Sequence, residues 1–156
     1  MATAEGLKTI IREHPFFQEL PGPFCELLSD CARNAVFQPG ERIFREGGEA
    51  DYFYLVREGH VALELASGQG RVVTFQTIGA GNVLGASWLV PPFRWMFDAR
   101  AVERTRTIAL DAVCLRTKCE ENPNLGWELM KRFVPVLIER MQAARLQMLD
   151  VYGRKS

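Results

Sequence analysis

Hydrophobic positions change period twice along this chain. Over residues 4–32, Leu7, Ile10 and Ile11, then Phe24, Leu27, Leu28 and Cys31, keep the three-and-four spacing of helices with one buried face. The break at Pro21-Gly22-Pro23 divides the stretch into two short helices, with Pro23 suited to a first turn where its missing N–H costs nothing. His14, before Pro15, is placed to end the first. From Ala35 to Leu110 the period shortens to two. Val61, Leu63 and Leu65 alternate with Ala62, Glu64 and Ala66, the mark of a strand with one buried face. Further strands are expected over 42–45, 52–57, 72–78, 95–102 and 105–110. Turn signals recur between them at Pro39-Gly40, Gly47-Gly48, Gly59, Gly70 and Gly79-Ala80-Gly81. About eight short strands at this spacing predict an eight-stranded jelly roll or β-roll.

Beyond residue 110 the helical period returns. Asp111 is placed to cap a helix over 112–121, and Asn122 and Pro123 to cap and open a second one that stops at Gly153. In that last helix Val134, Leu137, Met141, Ala144, Met148 and Val151 fall at alternating gaps of three and four, the spacing of a coiled-coil seam. Its length, about 42 Å at 1.5 Å per residue, outreaches a domain of this size. Part of the stripe is therefore expected to pack on a second copy, as a homodimer helix. Pro135 interrupts the backbone ladder and should bend the helix near its start.

Composition narrows the class. With 156 residues and 47% apolar content, the chain is expected to form one domain, mainly β with flanking helices: 1–33 helical, 34–110 β-roll, 111–156 helical. Nineteen basic residues balance nineteen acidic ones, so there is no electrostatic footprint for DNA, RNA or an anionic membrane. No apolar run approaches the roughly 20 residues needed to cross a bilayer. The N-terminus lacks the basic-then-apolar pattern of a signal peptide, which leaves the cytoplasm as the expected location. Cys25, Cys31, Cys114 and Cys119 have no metal-like spacing and read as buried free thiols, with no disulfide framework expected.

Particular segments carry a family resemblance. The run FQPGERIFREGGEADYFYLVREGHVAL, with Gly40, Gly47 and Gly59 at its turns, resembles the front half of cyclic-nucleotide-binding domains of catabolite-activator-type bacterial regulators. IGAGNVLGASWL resembles the approach to their phosphate-binding cassette, and LDVYGRK the hinge that leads to their DNA-binding helix-turn-helix. The likeness covers residues 10–153. Only Ser156 follows this segment, so the resemblance implies a sensor domain without the helix-turn-helix and without direct DNA binding.

That resemblance also implies a ligand site, and here the chain departs from the pattern. In family members a short helix follows the glycine of a Phe-Gly-Glu motif. It holds the cyclic phosphate on its exposed N–H groups and positive dipole end, while the Glu takes the ribose hydroxyl. An Arg in an Arg-Ser/Thr-Ala motif pairs with the phosphate. The matching residues here are Leu84-Gly85-Ala86, followed by Ser87 and Trp88, so the carboxylate is gone. Counting back from DARA puts Trp95 and Met96 where Arg and Ser/Thr belong. Arg94 lies one residue away and on the opposite strand face, which Arg100 shares. Losing a charge-assisted pair and the ribose acceptor would weaken cyclic AMP binding by about 3–5 kcal/mol, two to four powers of ten. The aromatic group Trp88, Phe93, Trp95 and Phe97 has three readings: it fills the old pocket, it stacks a different ligand, or it faces a partner.

The roll alone would also suit a metal enzyme, but one strand histidine, His60, cannot supply the two or three such chemistry needs. No catalytic arrangement is visible, so a non-enzymatic role is expected. The resemblance names no cofactor; a cyclic nucleotide or another small molecule is the implied ligand. Two functions follow from these residues. One is a regulatory sensor whose dimer helix acts on a separate partner. The other is a dimeric interaction module that has lost nucleotide binding.

Overall fold

A computed structural model describes residues 4–66 and 70–153. Two short helices lead in, α1 (Ala4–Glu13) and α2 (Gly22–Ser29), with a single 3-10 turn, Pro15–Phe17, between them. The strands are β1 (Ala32–Phe37), β2 (Arg42–Phe44), β3 (Tyr52–Glu58), β4 (Val61–Ala66), β5 (Val72–Ile78), β6 (Val83–Leu84), β7 (Asp98–Ala101) and β8 (Thr105–Asp111). They form two antiparallel four-stranded sheets, in the orders β1-β8-β3-β6 and β2-β7-β4-β5. Helices α3 (Ala112–Glu121) and α4 (Pro123–Gly153) close the chain. The expected β-roll with flanking helices is therefore present.

Side chains explain how the segments join. Asp111 caps α3 by accepting from the Cys114 N–H at 3.0 Å. His14 accepts from Phe16 N–H through Nδ1 at 3.2 Å, so Nε2 carries the proton and donates to the Val56 carbonyl at 3.0 Å. Burial holds its pKa below the ordinary histidine value, against the pull of that carbonyl. The ring thus ends α1 and also ties it to β3. At the β3–β4 corner Gly59 has φ +100°, and a Cβ there would lie 2.6 Å from the Arg104 carbonyl. Only glycine fits that crossing.

Four expectations need correcting. Cys31 and Cys114 are joined by a disulfide, with Cys25 and Cys119 left free. The pairing joins positions 83 apart in sequence and ties the start of β1 to α3, a proximity that spacing alone does not disclose. The first helical segment ends at Ser29, and β1 begins at Ala32 rather than residue 35. Its six residues pair in register with β8, which draws the chain into the sheet early. The strand expected over 95–102 begins only at Asp98. Before that point the backbone pairs with the 47–50 loop instead: Gly47 N donates to Trp95 O at 2.8 Å and Trp95 N to Gly48 O at 2.9 Å. Finally, the turn after Gly85 is a single 3-10 turn, Ser87–Leu89, so no helix dipole points at the cassette.

Helix α4 continues through Pro135, whose ring leaves the Lys131 carbonyl without its helical donor. One face packs on the chain's own core through Leu125, Leu129 and Phe133. Phe133 meets Phe53 at 5.0 Å and Trp88 at 5.4 Å between ring centroids. This three-ring contact joins α4 to the roll.

Candidate functional site

Gly85 is the hinge of the site. Its φ of +91° turns the chain out of β6, and the Cζ3–Cη2 edge of the Trp95 indole fills the space a side chain there would take. A Cβ at residue 85 would come within 2.7 Å of Trp95 Cη2, and closer still to Cζ3. A face of the indole is held by Phe44, stacked at 3.9 Å between centroids with 9° between the planes. Trp95 is 6% exposed. A buried ring therefore covers the glycine backbone at the turn.

Around that ring opens a cleft of about 450 Å³ that gathers Ala86, Ser87, Arg94, Trp95, Met96 and Leu137. Its cations are few: Arg94 is exposed, and its Nη1 reaches the Gly47 carbonyl only at 3.4 Å. Arg100 does not enter the cleft. It pairs with the nearly buried Glu64, Nη2 to Oε2 at 2.9 Å, and that carboxylate raises the Arg100 pKa. Trp88 lies elsewhere again, fully buried against Phe53 at 4.8 Å, with its Nε1 lacking a partner. Phe93 turns outward to lie 4.2 Å from the Arg116 guanidinium, which itself donates to the Trp88 carbonyl at 2.6 Å.

Met96 and Leu137 also line a second space, of about 240 Å³, between α4 and the roll. Leu65 and Phe75 from the roll, Phe97 before β7, and Met141 and Ala144 from α4 complete its apolar wall. Among the described residues, one charged residue lines it, Arg140. Arg140 is 6% exposed; its Nη2 donates to the Val83 carbonyl, while Nε and Nη1 have no partner. Burial pushes its pKa down to about 10, partly offset by the neighbouring Glu139 carboxylate. Sequence reasoning did not single out Arg140. The signal was there, since residue 140 shares a helix face with Phe133, Leu137 and Ala144, where a charge is out of place.

The stripe expected on α4 divides between two directions. Leu137 and Ala144 are half-buried toward the roll, as is Met148 in exposure, while Val134 and Met141 are exposed at 39% and 56%. The side chain of Val151 lies outside the described residues. Ile138 (52%) and Leu149 (58%) extend the exposed apolar line. Trp127 lies near its start, a further seven residues before Val134, also exposed.

The sequence matches the family described as Cyclic nucleotide-binding domain over residues 35–122, more than half of the chain. The chain belongs to this family. Its fold is that of regulatory, ligand-sensing domains, which are typically non-enzymatic. A solved protein from Geobacter metallireducens, named for cyclic nucleotide binding, is similar with a TM-score of 0.75 and 27% identity, covering 90% of this chain and 99% of that one. The Catabolite Activator Protein of Thermus thermophilus shares the fold at a TM-score of 0.68 and 24% identity, over 89% of this chain and 63% of that one. A Rhodopseudomonas palustris protein named as a potassium channel protein is 25% identical over 119 residues, and the match spans 76% of this chain but only 28% of that relative. Among the described residues, no helix is long and apolar enough to cross a membrane.

Proposed function

We propose that this cyclic-nucleotide-binding-family domain is a regulatory sensor that has moved its ligand site. The cassette that would take a cyclic phosphate is covered, the cavity beneath α4 receives a small molecule, and α4 carries the change through a homodimer to a separate partner. One observation carries this reading: the Trp95 indole rests on Gly85, while unfilled space remains under α4. Three features support the covered cassette. Ala86 supplies no carboxylate, Met96 supplies no hydroxyl, and the position matched to the phosphate-binding Arg is the indole itself. A guanidinium cannot be replaced by an aromatic ring for an anion that must give up its water.

The output half rests on geometry. Leu137, Arg140, Met141 and Ala144 form one wall of the cavity, so an occupant touches the helix directly. The same helix offers Val134, Ile138, Met141 and Leu149 to solvent, an apolar line with the spacing of a helix–helix seam. Ligand and dimer partner would thus bias the position of one element.

Amide hydrogen exchange in the presence of octanol, an uncharged apolar probe, tests the reading. Exchange over residues 134–148 is expected to slow several-fold, while β1 and β8, which do not border the cavity, keep their rates. Unchanged exchange along α4 would refute the sensor and leave the exposed stripe to a dimeric interaction module.

A further inference from the structure

Among the described residues, Arg140 is the one charge lining an apolar cavity, and its guanidinium is under-used. A buried cation without an anion is costly, because the charge loses water and gains no counter-charge in return. Glu139 does not provide one: it is exposed and accepts from Gln76 Nε2 at 2.9 Å. Among the described residues, no other titratable side chain lines the space. With one Nη2 hydrogen on the Val83 carbonyl, the second remains available beside either the unpartnered Nε–H or the unpartnered Nη1–H. Either pair is a two-donor edge of the kind that grips a carboxylate with two parallel hydrogen bonds.

We propose that the cavity beneath α4 binds a small apolar monocarboxylate. Its hydrocarbon body lies among Leu65, Phe75, Phe97 and Leu137, and its carboxylate sits on a free edge of Arg140. This deepens the reading of that cavity as the ligand site and rests on it. Size and charge both limit the ligand. At about 240 Å³ the space is smaller than the roughly 300–1,000 Å³ pockets that hold drug-sized molecules. A single guanidinium neutralises a single negative charge, so a phosphate dianion would carry surplus charge into a lining that is otherwise apolar. The occupant of matching chemistry is a short fatty acid or an aromatic acid of similar bulk. Met96, 53% exposed, and Met141 stand at the edge of the cavity, where flexible thioether chains can part to admit it.

Calorimetric titration of the full chain with octanoate and octanol tests the proposal, since the two differ in the charged head. Wild type is expected to bind octanoate at least tenfold more tightly than octanol. Arg140→Met is expected to lose that preference, to keep octanol binding, and to melt higher than wild type, because an uncompensated buried charge is gone. Arg140→Lys, which restores charge without the fork, should recover part of the preference. Equal wild-type affinity for acid and alcohol would overturn the carboxylate assignment while leaving the cavity as a ligand site. Binding of neither, together with unchanged exchange along α4, would remove both. An acid preference that survives Arg140→Met, or saturable cyclic AMP binding that depends on Arg140, would also overturn it.

Discussion

Trp88→Ala is expected to lower the unfolding free energy by about 3–5 kcal/mol, the range for deleting a large aromatic from a packed core. Trp88 is fully buried and contacts two rings, Phe53 and Phe133, one from the roll and one from α4. Removing it takes away the indole's own transfer free energy and leaves a cavity that the sheet cannot close, since Phe53 is fixed in the middle of its sheet by β8. Against a total stability of about 5–15 kcal/mol, the loss is a large share. The denaturant midpoint checks it. Trp88→Phe should cost much less, because it keeps a ring between Phe53 and Phe133 and deletes an indole N–H that has no partner. A loss below about 1 kcal/mol for Trp88→Ala would mean that these rings do not join α4 to the roll.

Ile138→Glu is expected to turn a dimer into a monomer. Ile138 is half-exposed in the isolated chain and lies centrally on the apolar line of α4. A twofold dimer along that line brings both copies of residue 138 into one seam, so each substitution acts twice. A carboxylate there must lose its water or remain charged beside its symmetry mate. On the order of 3 kcal/mol or more follows, a rise of at least about two powers of ten in the dimer Kd. Sedimentation velocity at micromolar protein should show dimer for wild type and monomer for the variant, with Tm of the monomer little changed because residue 138 is outside the core. A monomeric wild type would contradict the dimer.

The fold was largely legible in the chain because its two periods are carried by residues with strong local preferences. Val61 to Ala66, the glycine corners and Asp111 each take the conformation their chemistry favours. Misses arose where distant segments decide. The pairing of Cys31 with Cys114, the early start of β1 against β8, and the late start of β7 all depend on partners far away in sequence. Of the expected cassette residues, Ala86, Ser87, Arg94, Trp95 and Met96 line one cleft, while Trp88 does not. What sequence could not supply was which of the four aromatics does what. Trp95 covers Gly85, Trp88 packs in the core, Phe97 lines the cavity and Phe93 faces Arg116, although all four lie within ten residues. Phe44, which holds the Trp95 indole in place, is 51 residues away from it in sequence, and only the fold brings the rings together.

The claim on which the rest depends is that the Trp95 ring occupies the Gly85 turn. A carbon-resolved proton spectrum of the Gly85 α-protons measures this directly, because the ring current of an indole edge packed against them displaces their resonances. Gly85 α-protons are expected at ring-current-displaced shifts in wild type and at ordinary ones in Trp95→Ala, with no movement in wild type as cyclic AMP is raised to millimolar concentration. Gly85 α-protons at ordinary shifts in wild type, or a saturable response to cyclic AMP at Gly85 and Ala86, would contradict it.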